Sequence, residues 1–315
     1  MIKGKVMSET IGRDVGEKKG FLLEYYRDRA TELISEIRTV FSESEYKARA
    51  AAVNKGLVEA REKLVKILEQ NAHRENWTRR EVLQGVLMIT YANYVVMIES
   101  RNELWPYEYM TFARRVGELW EPFCQLCWEY PLVETIKYFV PPLFRDVKNK
   151  LIKEIENFID DLNISPEQRA ELKEYYQKVW SLVTSGEIKL ELDLHFEDGD
   201  NKYVVDFKSG FSSNEKGNTN RLLLVASVYK ILEEQYRCLL FVRSEEDQNN
   251  HYLQTLKNSE LWAVYCGKDT YKQIKNFTGF DLSSWLRANA RWEHDFRPQM
   301  YAQLQKNDLT RYLEW

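Results

Sequence analysis

Apolar residues recur at three- and four-residue steps through the first half of the chain. Phe21, Leu22, Tyr25, Ala30, Leu33, Ile34, Ile37 and Phe41 follow this spacing, which predicts an amphipathic helix over 21–41. A second helix is expected over 46–70, with 71–74 as a break. Thr78 reads as the N-cap of a third, with Glu81 three residues on as its capping-box partner. Residues 109–128 and 143–162 read as further helices, and Pro131, Pro141 and Pro142 punctuate the stretch between them. Over 165–183, Ser165 is the expected N-cap and Pro166 takes the first helical position, where a missing N–H leaves no bond unmade. Residues 1–20 are polar and Gly-containing and predict a loose arm.

The pattern changes at Gly186. From there to about Gly267 the chain reads strand, hairpin, strand, loop, helix, strand, helix, strand. The helices are expected over 221–235 and 249–257, and the later strands over 238–243 and 261–266. Residues 281–315 look helical again. No internal repeat and no Pro- or Ser-rich linker is evident. The expected organisation is a helical region over 1–180 for DNA binding or dimerisation, a catalytic core over 181–280 and a C-terminal helical segment over 281–315.

Residues 188–197, IKLELDLHFE, alternate with a period of two. Leu190, Leu192, Leu194 and Phe196 fall on one face; Lys189, Glu191, Asp193, His195 and Glu197 fall on the other, as for a strand with one buried face. The following DGDN is a strong turn signal, with Gly199 suited to a positive φ. In the returning strand, Val204, Asp206 and Lys208 share one face and Tyr203, Val205 and Phe207 the other. A tight turn at Gly199 and Asp200 sets Asp198 opposite Asn201, so Asp193 falls opposite Asp206 and Glu191 opposite Lys208. Directly opposed side chains place their Cβ atoms about 4.5–5.5 Å apart, and two like charges at that distance destabilise a sheet. A divalent cation between the carboxylates removes the repulsion, and Mg²⁺ favours one or two carboxylates with water and phosphate. Lys208 shares the face of Asp206, where its ammonium can stabilise charge on a phosphate or orient a water. The bland alternative is a surface hairpin carrying ordinary charges, against which the opposed acids argue.

Asp193 followed by Asp206-Phe207-Lys208, on a hairpin that leads into a helix and a buried apolar strand, resembles the PD-(D/E)XK nuclease superfamily, the fold of most type II restriction endonucleases. The resemblance covers about residues 186–267, and Leu192 stands where the family's name has a proline. It implies an α/β fold with a mixed central β-sheet flanked by helices, here with a large helical N-terminal region. It implies Mg²⁺ bound by Asp193, Asp206 and the Phe207 backbone carbonyl, with Lys208 catalytic. Glu191 is a candidate accessory acid, either for a second metal or as a salt-bridge partner of Lys208. Some members add an acid from an earlier helix, and Glu118 and Glu121 both qualify, with nothing in the sequence to choose between them. His195 reads as a polar neighbour of the site.

The polar segment after the motif offers Ser209, Ser212, Ser213, Asn214, Lys216, Asn218, Asn220 and Arg221 as DNA contacts, or as a loop that caps the next helix through Thr219 or Asn220. Arg287, Arg291 and Arg297 lie among aromatics near the C-terminus, where packed Trp285 and Trp292 on a solvated helix are the expected arrangement.

Composition narrows the reading only slightly. A formal charge of −4 differs from that of a small DNA-coating protein, yet a folded chain can gather Lys and Arg on one face. Cys124 and Cys127 form a CxxC without a second ligand pair and read as core thiols, as do Cys238 and Cys266. The N-terminus lacks the apolar run of a secretory signal, and the apolar stretch over 86–98 is shorter than a membrane span. The expectation is therefore a cytoplasmic enzyme in a prokaryotic cell: a homodimeric, Mg²⁺-dependent type II restriction endonuclease acting on double-stranded DNA. Alternatives are another nuclease of the superfamily serving repair, recombination or a mobile element, an RNA substrate, and a DNA-binding protein on an inactive nuclease fold.

Overall fold

The amphipathic stripes of the N-terminal half pack against one another. Helix α1 (Lys19–Val40) buries Leu22, Leu23, Tyr26, Ala30, Leu33, Ile34 and Ile37. Helix α2 (Tyr46–Glu75) buries Val53, Leu57, Ala60, Leu64 and Leu68. Both lie against α3 (Arg79–Leu104), whose N-terminus carries the expected capping box: Glu81 N–H donates to Thr78 Oγ1 and Thr78 N–H to Glu81 Oε2. Helix α4 (Tyr109–Glu129) follows, then α5 (Phe144–Asp160) and α6 (Pro166–Leu182), the last capped by Ser165 with Gln168. This computed structural model describes residues 11–182, 189–212, 215–232 and 235–315, with the backbone alone for 179–182.

Two expectations for this half are corrected. Helix α2 does not break at 71–74. It runs to Glu75 and stops at Asn76, which takes a left-handed φ of 50°. Asn71 is buried within it, and its amide donates to the Ile11 carbonyl at 2.8 Å. That bond, with Ile11 and Val15 fully buried, makes the described part of the N-terminal arm a packed segment. By length and composition α3 could cross a membrane, but 83% of its most apolar window is buried inside the protein. It is the central helix of the core.

Five strands form one mixed sheet in chain order: β1 (Ile136–Tyr138), β2 (Leu194–Asp198), β3 (Asn201–Lys208), β4 (Tyr236–Val242) and β5 (Trp262–Cys266). The first three are mutually antiparallel, and β3, β4 and β5 run parallel. Helices α7 (Lys216–Ile231) and α8 (His251–Asn258) make the two crossovers that parallel strands require. Helices α9 (Lys268–Thr278), α10 (Leu282–Asn289), α11 (Trp292–Asp295) and α12 (Pro298–Lys306) complete the chain. The protein is thus α/β, a mixed sheet flanked by helices after a large helical N-terminal region.

The β2–β3 register is the expected one: Asp198 pairs with Asn201 and Leu194 with Val205, around Gly199 at φ 60°. The strand is shorter than its pattern, however. Residues 189–193 leave the ladder, and Leu190 and Leu192 cross into the apolar cluster under α7, whereas Leu194 and Phe196 face α4. Nor is the hairpin buried on one face only. Tyr203, Val205 and Phe207 pack toward α4, where Trp120 meets Phe207 at 5.8 Å and Trp128 meets Phe241 at 5.8 Å between ring centroids. Val204, Leu240 and Val242 pack beneath Leu222, Val225 and Ala226 of α7. A strand covered on both faces needs apolar residues at nearly every position, as β4 has.

The C-terminal segment returns to the N-terminal helices. Asp295 is buried and accepts from Tyr91 Oη at 2.7 Å, Lys19 Nζ at 2.8 Å and the Arg291 N–H at 3.2 Å. Glu99 of α3 takes both arms of Arg27 at 2.8 and 3.0 Å and the Arg297 N–H at 2.6 Å. Trp285 and Trp292 are buried, as expected, with Arg287, Arg291 and Arg297 exposed beside them. One apolar cluster runs from α1 through the α4-facing side of the sheet to Trp292 and Leu304, across both boundaries of the expected three-part division.

Candidate active site

At β3 the sheet changes from antiparallel to parallel pairing, and the carboxyl ends of β3 and β4 lie side by side. Asp206, Phe207 and Lys208 lie at this end of β3. Asp206 is fully buried. Its carboxylate forms an ion pair with the Lys208 ammonium and lies 3.6 Å from Arg221 Nη2 on α7. Among the described residues, neither Asp206 oxygen accepts a well-aligned hydrogen bond. Burial outweighs the nearby lysine and raises the Asp206 pKa, and the charge of Asp193 adds to the effect. Lys208 also donates to the Phe207 carbonyl at 3.0 Å.

Asp193 stands one residue before β2, beyond the last paired residue of the ladder. Its Oδ2 accepts the Phe207 N–H at 2.7 Å, so the hairpin backbone itself orients the carboxylate. Upstream, His195 holds the departing chain. The imidazole is buried, accepts the Leu192 N–H at 3.4 Å and is hydrogen-bonded to the Leu190 backbone. Burial lowers its pKa, partly offset by that bond and by the charges of Glu191 and Asp193, which favours neutral imidazole.

A third acid comes from α4. Glu121 shares a hydrogen bond with Asp193. Burial, then the charge of Asp193, pushes its pKa up to about 7, with Lys208 opposing and Asp206 adding to the rise. Gln125, one turn on, donates to Glu121 Oε1 at 3.4 Å and to the Asp193 carbonyl at 3.2 Å. Of the two acids that the sequence offered, Glu121 faces the carboxylates, whereas Glu118 pairs with Arg114 at 2.7 Å. A sequence signal does mark the place. Pro122 sits inside α4 directly after Glu121. An interior proline removes a backbone donor and costs about 3 kcal/mol or more, a local rule broken where packing or function compensates. Helix α4 approaches closely because residue 117 is glycine, since a Cβ there would overlap the Ser209 hydroxyl.

The remaining candidates are scattered. Lys208 pairs with Asp206 and not with Glu191, which is exposed. The Glu191–Lys208 bridge is lost because residue 191 has already left the ladder, while the buried Asp206 requires a cation. Helix α7 begins at Lys216, not at 221, so Lys216, Asn218, Asn220 and Arg221 occupy its first turns and not a loop. Neither Thr219 nor Asn220 caps it; its N-cap is Glu215, without a side-chain cap bond. Ser209 packs against α4, and Ser212 is held through its carbonyl by Asn250. Phe211 is buried, with its N–H on Asn249 Oδ1 at 2.7 Å. Ser213, Asn214 and Gly186 lie outside the described residues. Cys124 and Cys127 are fully buried, and desolvation raises both thiols.

The donor set suits a hard divalent cation. Burial and the charge of Asp193 raise the pKa values of both Glu121 and Asp206, and among the described residues the Asp206 oxygens lack well-aligned hydrogen bonds. It is not a closed cage, for among the described residues no three His, Cys, Asp or Glu side chains converge as a coordination set. Mg²⁺ typically takes one or two carboxylates and keeps several waters. A surface cleft of about 510 Å³, lined in part by Arg287, Trp292, Tyr301, Arg311 and Trp315, shares no residue with these carboxylates. Compared with known protein families, with curated proteins and with solved structures, the chain matches none.

Proposed function

We propose that the chain is a Mg²⁺-dependent DNA endonuclease of the PD-(D/E)XK superfamily, and specifically a type II restriction endonuclease. The observation that carries this reading is the gathering of Asp193, Asp206, Lys208 and Glu121 from separate segments onto one sheet end. A fold without use for them would lose stability by burying Glu121 and Asp206, whose pKa values burial and the charge of Asp193 raise.

Asp193, Asp206 and the Phe207 carbonyl would hold the cation, with Glu121 as a further acid. When bound, Mg²⁺ supplies Lewis-acid stabilisation of the phosphoryl oxygens and an acidified water. Lys208 faces Asp206 and the Phe207 carbonyl, the same groups that would hold the ion. Its ammonium then stabilises the charge that develops on the phosphate. Asp193, fixed by the Phe207 N–H, orients the water. In the reaction the water oxygen bonds to phosphorus, the bond from phosphorus to one sugar oxygen breaks, that oxygen gains a proton, and the water loses one. Cutting both strands of a palindrome calls for two such sites related by a twofold axis, hence a homodimer.

The test is incubation of phage DNA with the wild-type protein and with Lys208→Ala and Asp206→Asn, in Mg²⁺ or in EDTA. A fixed fragment ladder that needs Mg²⁺, Lys208 and Asp206 supports the restriction reading. A smear with the same dependence keeps the nuclease and removes the site specificity. DNA that stays intact in every lane, with structured DNA and RNA also uncut, overturns the reading.

A further inference from the structure

We infer that Arg221 is the guanidinium that binds the scissile phosphate, holding Asp206 only until a divalent cation takes its place. The inference rests on the hydrolase reading for the reaction itself. Because α7 starts at Lys216, Arg221 stands on its second turn, beside Leu222 and Val225, which are buried on the sheet. Its Nη2 lies 3.6 Å from Asp206 Oδ1, within ion-pair range but beyond a hydrogen bond. The Arg221 side chain is 42% exposed and that of Lys208 18%, while Asp206 is fully buried. Arg221 therefore links the buried carboxylate to solvent, the side from which a polyanion arrives.

Charge balance gives the second argument. Two cations face Asp206: the Lys208 ammonium, ion-paired with it, and the Arg221 guanidinium at 3.6 Å. A divalent cation on the carboxylates adds two positive charges to the set. A phosphodiester brings one negative charge and develops a second as water attacks. Lys208 holds the closer contact to Asp206, and Arg221 stands off at 3.6 Å, beyond a hydrogen bond. Arg suits the task because its planar fork meets two phosphate oxygens at once, which an ammonium cannot do.

The test compares wild type, Arg221→Ala and Arg221→Lys. A fluorescent DNA duplex is titrated in Ca²⁺, as a non-cleaving stand-in for Mg²⁺, and again in EDTA. Thermal stability is recorded with and without Mg²⁺. Arg221→Ala is expected to weaken binding in Ca²⁺ by roughly tenfold or more, the size of a lost charged hydrogen bond, and to change binding in EDTA far less. Arg221→Lys recovers only part of the loss. Mg²⁺ stabilises Arg221→Ala at least as much as wild type, because no guanidinium competes for Asp206. Equal loss in Ca²⁺ and EDTA, or a variant that binds as wild type and loses its Mg²⁺ response, overturns the inference and leaves Arg221 as a structural counter-ion. Ca²⁺- and Arg221-dependent binding by a protein that cuts nothing keeps the phosphate site and removes the nuclease. Absence of DNA binding by the wild type overturns both.

Discussion

Glu121 on α4 and Asp193 just before β2 are bridged by Gln125, which donates to Glu121 Oε1 at 3.4 Å and to the Asp193 carbonyl at 3.2 Å. The pair links the helical half of the chain to the hairpin. It also makes the metal-free protein sensitive to pH.

Burial and Asp193 raise Glu121 from 4.5 to about 7. The folded state therefore binds more protons than the unfolded chain between those values. The Glu121 contribution to stability is complete below about pH 4.5 and is lost as pH rises through about 7. Glu121→Gln keeps the hydrogen bond without the titration. Thermal melts in EDTA are expected to show the variant gaining on wild type from pH 5 to 8, with Mg²⁺ closing the gap. A constant difference across that range would contradict the raised Glu121 pKa.

Gly117→Ala places a methyl group on the Ser209 hydroxyl. Overpacking of this kind costs about 1–3 kcal/mol, and here it also pushes Glu121 away from Asp193. Urea denaturation is expected to show a loss in that range, together with reduced Mg²⁺-dependent cleavage. Adding Ser209→Ala removes the oxygen that causes the overlap, and the double variant is expected to recover most of both.

His195→Phe keeps a ring against Phe139, which the imidazole meets edge-on at 5.5 Å, but leaves the Leu192 N–H without its acceptor. An unpaired buried donor costs about 1–3 kcal/mol. Because His195 holds the segment that delivers Asp193, the apparent Mg²⁺ requirement for cleavage is expected to rise along with the stability loss. His195→Gln, which can both donate and accept, is expected to restore the Mg²⁺ requirement more than the stability. Unchanged Mg²⁺ dependence in His195→Phe would confine the residue to packing.

Asp295→Ala strips a buried acceptor from Tyr91 and Lys19. Breaking a buried charge pair in this way costs about 3–5 kcal/mol, and chemical denaturation would measure it. The site groups lie elsewhere, so the cleavage rate below the melting transition is expected to hold.

Local signals proved the most legible. The turn at Gly199 and the Asp198–Asn201 register appear as expected, as do the caps at Thr78 and Ser165, because each depends on neighbours within a few residues. The errors come from long-range demands. Alternation persists through Leu190 and Leu192, but two cores compete for those side chains, and the one beneath α7 takes them. Helix α2 continues through 71–74 because Asn71 finds the Ile11 carbonyl, a partner far away in the chain. Strand β1 and helix α9 escaped notice, the first being three residues long at a sheet edge. The docking of α4 separates Glu121 from Glu118, and the neighbouring Pro122 is the one local mark of that difference.

Trp120 and Trp128 cover Phe207 and Phe241, so the lid of the sheet's inner face is encoded before the strands that it covers. A ribosome releases α4 first, and β2 and β3 emerge to meet a helical surface already made. Parallel pairing between β3 and β4 then closes against a template, which limits the time that Phe196, Tyr203 and Phe207 spend exposed to neighbouring chains. A fragment beginning near the hairpin has no such template. It would carry Asp193, Asp206 and Lys208 yet lack Glu121, and its bare aromatic face would favour aggregation over catalysis.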